Sequence, residues 1–346
     1  MVSRGVMHYP RTSKGCRPIR LEQTRQLAID RAKHTARGAV RRILRRPPPA
    51  EPRYDVADLD RVRELMREYW TSLGHVSSTM RSFEQDAFRT ADYEHVLART
   101  HEAWSSLEGK RVLDLGCGWG GLSLLLAHHG ADVVFVDRVP QHVEASRLRV
   151  PSGKGLVCDG RDLTPIDDEL GEFDYVFLHS VIEHVGNAPD HRGPADLFMP
   201  EKRRVLHEAA RHVRPGGGLF LSTGNYNFPL DGEVNMWFFH WLPKAVQGAV
   251  LDDLGIGADN YGLLTWTQLS GLIGDEGLQV ERVFPCDTSR IEALLEVFAA
   301  TLGFVNRGWH LPEAAVRGLI DLMRNDPHYM PTWFAFLRRP AASAST

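Results

Sequence analysis

The chain has 346 residues, 43% of them hydrophobic and 25% charged, enough for one substantial core with appendages. Its four cysteines, Cys16, Cys117, Cys158 and Cys286, stand far apart without a C-x-x-C pair, so no disulfide framework or structural zinc site is indicated; uncharged apolar stretches such as 297–305 fall short of the ~20 residues of a membrane span. The net charge of −3 conceals an asymmetry, because residues 1–50 hold 13 Lys and Arg against 2 Asp and Glu, leaving −14 on the remainder.

Residues 1–50 are read as a basic arm. Leu21, Ala28, Ala32, Ala36, Ala39, Val40 and Ile43 recur at helical spacing until the run of prolines at 47–49 stops the pattern. The arm is expected either to dock on an anionic membrane surface, an acidic partner or the protein's own acidic body, or to act as a partly disordered solubilising extension; its Arg-rich, acid-poor composition also resembles an organellar transit peptide, with no cleavage site marked. Residues 51–108 read as an N-terminal helical cap without a strand pattern: Val56–Leu73, a loop around Gly74-His75-Val76, then Asp92–Leu107.

At Arg111 the pattern changes. Arg111-Val-Leu-Asp-Leu-Gly-Cys-Gly-Trp-Gly-Gly121 reads as a buried strand, an acid and a glycine-rich turn, and the segment from Leu122 to Gly130 as a helix ended by glycine. Strand, glycine turn and helix open a doubly wound α/β fold, whose ligand sits beyond the carboxyl ends of the strands. Gly116, Gly118 and Gly121 also meet the dinucleotide spacing G-x-G-x-x-G, and Asp137, delivered by the strand Val133–Val136, stands where a ribose-binding acid is expected. Asp114 argues for another ligand: a carboxylate entering the turn repels a pyrophosphate and suits a molecule with an ammonium and a sulfonium group.

On these residues the chain resembles the class I S-adenosylmethionine (SAM)-dependent methyltransferases. The resemblance implies that Asp114, Gly116, Cys117, Gly118 and Gly120 border the methionine half of SAM and that Asp137, followed by Arg138, holds the ribose hydroxyls. Leu156-Val-Cys-Asp159-Gly160 resembles the third strand and its acidic end, where the family meets the adenine amino group. Phe173–Ser180, with His179 near its end, resembles strand four; it is followed by Val-Ile-Glu183-His184-Val, recurrent in small-molecule members. Leu206–Val213 reads as the next helix, and Arg214-Pro-Gly-Gly-Gly218 as the turn into strand five, Leu219–Thr223. Thr265–Gly277 resembles a further helix, Leu278–Phe284 strand six, and Thr332–Leu337 strand seven, expected as an antiparallel edge strand.

The expected architecture is therefore a seven-stranded, mostly parallel α/β sheet with an antiparallel last strand. Its catalytic domain spans 109–224 and 263–340. It carries an aromatic lid at 225–262 and a helical insertion at 287–330. Seven of the chain's 31 aromatic residues lie between Tyr226 and Tyr261, too many for a solvated loop, and the position beyond strand five borders the reacting centre in the family. Trp237, His240 and Trp241 of the lid, with Tyr69 and His75 of the cap, are the expected acceptor-binding residues, and packing is the alternative for each.

Methyl transfer needs few catalytic groups: the protein positions the acceptor, excludes water and, for a hydroxyl, removes a proton. His184 is the expected base. No Asn/Asp-Pro-Pro-Tyr/Phe segment follows strand four, which disfavours nucleobase amino methylation, and the acidic body disfavours a polyanionic substrate. Glu183, His184, Asp190, His191 and Asp196 crowd one loop without metal-ligand spacing, so no metal is expected. The expected protein is a cytoplasmic enzyme, peripheral to the membrane where its arm attaches it, that methylates a hydroxyl on a small molecule such as a sugar, polyketide, phenol or lipid intermediate. The alternatives are an RNA or protein methyltransferase guided by the arm, and a non-catalytic SAM-binding adaptor.

Overall fold

Apolar runs bounded by glycine, proline or acidic residues form the strands, and apolar residues at a period near 3.6 form the helices. The computed structural model describes residues 58–72, 91–186, 199–231, 236–237, 239–242, 246–247, 262–286 and 313–341. They contain strands β1 (Arg111–Leu115), β2 (Asp132–Asp137), β3 (Lys154–Val157), β4 (Phe173–His179), β5 (Val213–Gly224), β6 (Gln279–Pro285) and β7 (Thr332–Arg338). The longer helices are α1 (Leu59–Ser72), α2 (Ala91–Trp104), α3 (Gly121–His128), α4 (Pro140–Arg149), α5 (Met199–Arg211), α6 (Trp266–Asp275) and α7 (Glu313–Asn325). Local chemistry sets the ends. Pro140 opens α4 at a position where its missing N–H costs nothing, and Thr265 with Gln268 closes a capping box on α6: each side chain accepts from the other residue's backbone N–H, at 3.2 and 2.9 Å.

The seven strands form one sheet in the order β3-β2-β1-β4-β5-β7-β6. β1 runs parallel to both neighbours, with Leu113 opposite Val134 on β2 and Val176 on β4. Strand order reverses there, which opens a crevice at the carboxyl ends of β1 and β4. β7 alone runs against the direction of the other six strands, and here the sequence expectation is corrected: it is an interior strand, paired to β5 on one side and β6 on the other. Its consecutive buried residues Trp333, Phe334, Ala335, Phe336 and Leu337 need cover on both faces, whereas the edge strand β6 is largely exposed.

Alternation along the strands divides the core. One face carries Leu113, Leu115, Val176, Leu178, Leu219, Leu221 and Trp333 against Val205 and Leu206 of α5 and Leu269 and Leu272 of α6. The opposite face carries Val112, Phe135, Tyr175, Phe177, Phe220, Phe334 and Phe336 against Val96, Leu97 and Trp104 of α2 and Leu122, Leu125 and Leu126 of α3. Each large side chain buried in this way contributes roughly 1.5–3 kcal/mol. Trp104 stacks on Tyr175 at 4.4 Å, nearly coplanar, and anchors α2 to the sheet. α1 buries Val62, Leu65, Met66 and Trp70 against Ala145 of α4.

α5 spans Met199–Arg211, and β5 starts already at Val213, the residue at which the sequence reading ends that helix. Gly216 and Gly217 exchange backbone hydrogen bonds with Arg339, so the glycine turn is drawn into the strand. Within the expected lid, Leu230–Asp231 pairs antiparallel with Met236–Trp237 and a 3-10 turn covers Phe239–Trp241. The basic arm, His75 and the loop holding Asp190, His191 and Asp196 lie outside the described residues, as do much of the lid and part of the 287–330 insertion. No helix among the described residues is long and apolar enough to cross a membrane.

Candidate active site

A cavity of about 280 Å³ opens where the strand order reverses, lined by the ends of β1 to β4. Its floor is the turn after β1. Gly116 and Cys117 both donate to the carbonyl of Val136 on β2, at 2.7 and 3.1 Å, which ties the turn across the sheet. Gly116 holds a φ of +82°, and a Cβ there would lie 2.4 Å from Val181 Cγ2, so the turn after β4 closes against bare backbone. At Gly118 a Cβ would meet nothing within 4 Å, which leaves its backbone open to a ligand.

Asp137, at the end of β2, is the organising acid. Its Oδ2 accepts from Gly118 N at 3.0 Å and its Oδ1 from Val139 N at 2.9 Å, with His142 Nδ1 at 3.2 Å from the same Oδ1. Burial pushes the carboxyl up, but His142 and the two amides outweigh it and hold the group below its usual range, so Asp137 is ionised at neutral pH. The buried Nε2 of His142 has no hydrogen-bond partner among the described residues. The His142 ring packs against Tyr69 of α1 at 5.0 Å and Trp119 at 4.4 Å. Tyr69, expected as an acceptor contact, thus stands at the Asp137 side of the cavity.

Beyond β3, the Asp159 carboxylate is gripped by Arg161, with Nε to Oδ1 at 2.9 Å and Nη2 to Oδ2 at 2.6 Å; Arg161 also reaches Glu201 at 3.2 Å. Its hydrogen bonds to Arg161 are the main reason the Asp159 carboxyl lies below its usual range. Arg138, Gly160 and Arg161 complete this wall, and beyond β4 the lining continues through Ser180, Val181, His184, Val185 and Gly186. Ser180 has a left-handed φ of +52°, held by bonds from its N–H to the carbonyl and Oγ of Ser222 at 3.1 and 3.0 Å. The next residues wind into a 3-10 turn, Ile182–His184.

Of the residues singled out in the sequence, Tyr69, Gly116, Gly118, Asp137, Arg138, Asp159, Gly160 and His184 line this cavity. Asp114, Cys117, Gly120 and His179 do not. Alternation turns Asp114 toward α3, where it is buried and Ser123 Oγ donates to it at 2.5 Å; burial pushes its carboxyl up to about 7. Cys117 is buried beside Ser146, Gly120 caps α3, and His179 pairs with Ser222 Oγ and meets the ring of Tyr93. His240 and Trp241 converge on one atom, both donating to the carbonyl of Tyr226 at 2.8 Å, outside the cavity lining. Trp237 ends the two-stranded ribbon. His142, Arg161 and Val181 were not anticipated; of these only His142 had a sequence signal, an imidazole five positions after the acid on a proline-started helix. No cluster of three or more His, Cys, Asp or Glu residues placed to hold a metal occurs among the described residues.

Residues 86–251 match the family model described as a methyltransferase domain. The chain is similar to a ubiquinone biosynthesis O-methyltransferase of Mesorhizobium japonicum, 29% identical over 212 residues that make up 58% of this chain and 77% of the relative. It is also similar to the ubiquinone biosynthesis O-methyltransferase of Xanthomonas oryzae pv. oryzae, 31% identical over 188 residues, 51% of this chain and 64% of the relative. The domain match, those relatives and the sheet order with its single antiparallel strand agree: the chain carries a methyltransferase domain of the class I SAM-dependent type, and its cofactor is SAM. Among solved structures, magnesium protoporphyrin IX methyltransferase from Synechocystis PCC 6803 with bound SAH (S-adenosylhomocysteine) matches with a TM-score of 0.45 and 16% identity, covering 81% of this chain and 97% of that one.

Proposed function

We propose that the cavity holds SAM with its adenosine over β2 and β3 and its methionine half over β1, and that the enzyme methylates a hydroxyl of a small phenolic acceptor with His184 as base. The observation that carries this reading is that Asp137 and His184 line one cavity from opposite sides of β1. Two strand spacings separate β2 from β4, roughly 10 Å, which leaves room for a ribose on Asp137, the sulfonium methyl two bonds beyond its 5′ carbon, and an acceptor oxygen in front of His184. The cavity fits the cofactor: Gly118 leaves open backbone, Asp137 offers an ionised carboxylate for the ribose hydroxyls, and the buried His142 Nε2 adds a polar atom at the same wall. Asp159 meets the adenine amino group by sharing or leaving Arg161.

When bound, SAM supplies a methyl group on a good leaving group. The remaining tasks fall to the chain: Gly116 and Val181 close the floor, the turn after β4 presents His184, and an imidazole takes the hydroxyl proton near neutral pH. The names of the curated relatives support an O-linked acceptor of the quinone-precursor class. We assign the arm, residues 1–50, to attachment at an anionic surface; a chain lacking it should lose salt-sensitive binding to anionic vesicles and keep turnover on a soluble acceptor.

The test is methyl transfer to a soluble catechol, followed by label from SAM, compared with amine and carboxylate acceptors. His184→Gln should lower kcat roughly a hundredfold or more with SAH affinity kept within a few fold. Near-normal turnover would remove His184 as base, and transfer confined to the amines would overturn the hydroxyl assignment.

A further inference from the structure

Lys202 lies on α5, and its side chain is fully buried. Its Nζ donates to the carbonyl of Ile182 at 2.5 Å and reaches those of Glu183 and Val185 at 3.4 Å each. These are the carbonyls of the turn that carries His184. Within the turn His184 N donates to Val181 O at 2.9 Å and Val185 N reaches Ile182 O at 3.4 Å, and the amide of Gly262 donates to Glu183 O at 2.7 Å; Lys202 adds a side-chain cation that gathers three of the turn's carbonyls at one point. Burying an ammonium is costly, and an apolar side chain of similar length would fill the same space without that cost. The site's own chemistry registers the cost: burial pushes the Lys202 amine down to about 8, against an opposing pull from the neighbouring Glu183.

We propose that Lys202 is a positioning residue for methyl transfer, a cationic latch that sets the pitch of the Ile182–His184 turn and thereby the place of the His184 imidazole in the cavity. Ser222 holds the root of the turn at Ser180, and Lys202 of α5 holds the turn itself, most closely at Ile182. The inference rests on His184 being the base and adds what aims it. Geometry of this kind matters because a misplacement of about 1 Å at a reacting group costs up to a hundredfold in rate.

The test is a double-mutant cycle in the full chain, with kcat and acceptor KM measured on catechol and SAH affinity by calorimetry. Lys202→Met should lower kcat about tenfold to a hundredfold, with acceptor KM and SAH affinity within roughly threefold of the parent. In a His184→Gln background the same substitution should do almost nothing, because the group it aims is gone. Lys202→Gln, which keeps N–H donors without the charge, should recover part of the loss and serves in place of Lys202→Met if that variant does not fold. The proposal is overturned if Lys202→Met keeps normal kcat while His184→Gln is crippled, if the loss is equally large in the His184→Gln background, or if SAH binding falls in step with kcat. Normal turnover of His184→Gln alone sinks the base assignment and the latch with it, an outcome separate from the other three.

Discussion

Replacing Gly116 with alanine should damage the floor of the cavity by an amount that divides into two parts. A φ of +82° costs an L-residue about 1–2 kcal/mol, and a Cβ placed 2.4 Å from Val181 Cγ2 and 3.1 Å from its Cγ1 adds an overpacking cost of about 1–3 kcal/mol. The sum, about 2–5 kcal/mol, is a large share of the 5–15 kcal/mol typical of a domain. Val181 is stiff and lines the cavity, so relief pushes it into the cofactor space and weakens SAH as well. Val181→Ala in the same chain removes the steric part and leaves the backbone part, so the double variant should be about 1–3 kcal/mol more stable than additivity predicts. Urea unfolding at unchanged slope measures the stabilities, and calorimetry with SAH follows the site. A coupling below about 0.5 kcal/mol would refute the reasoning, because the added methyl would then not be meeting Val181.

Asp137→Asn should weaken SAH by about 1.5–3 kcal/mol through the loss of a charge-assisted ribose contact, and unchanged affinity in calorimetry would exclude Asp137 from that role. Asp114 should make the fold less stable as pH rises: its carboxyl sits near 7 in the fold against about 3.9 unfolded, so stability falls between about pH 4 and pH 7, by at most about 4 kcal/mol. Asp114→Asn should flatten that slope in unfolding experiments, and an unchanged slope would show that another group titrates. Trp241→Ala should raise acceptor KM with SAH affinity kept within a few fold; equal loss of both would make the segment around Tyr226 a structural support rather than an acceptor contact.

The strands were legible because they are apolar runs, most of them closed by a glycine, proline or acid, and the acids of the cavity were legible because they sit at strand ends. Asp114 shows where that reading fails. Spacing along the chain placed it at the turn, but the two-residue period of β1 turns it toward Ser123 and away from the cavity. The interior place of β7 was carried in Trp333–Leu337, apolar at every position, a pattern that an edge strand does not need. Val181 acts across space, because Gly116 lies beneath it far away in sequence, while Arg161 grips Asp159 two positions away and is held there by Glu201 from the distant α5. Lys202 was the least legible, since a lysine on an amphipathic helix reads as solvent-facing until the carbonyls it meets are known.

The interior place of β7 also sets a timetable for synthesis. β5 hydrogen-bonds to a strand made more than a hundred residues later, with Gly218 opposite Arg338 and Gly224 opposite Thr332. At a translation rate of about 5–20 residues per second, β5 waits roughly 5 to 20 seconds with one edge unpaired. Throughout that interval its apolar run, Leu219-Phe-Leu221, presents an open template for strand addition by another nascent chain. The yield of folded enzyme should therefore depend on how crowded the polysome is and on the supply of chaperones that cover that edge until β7 arrives.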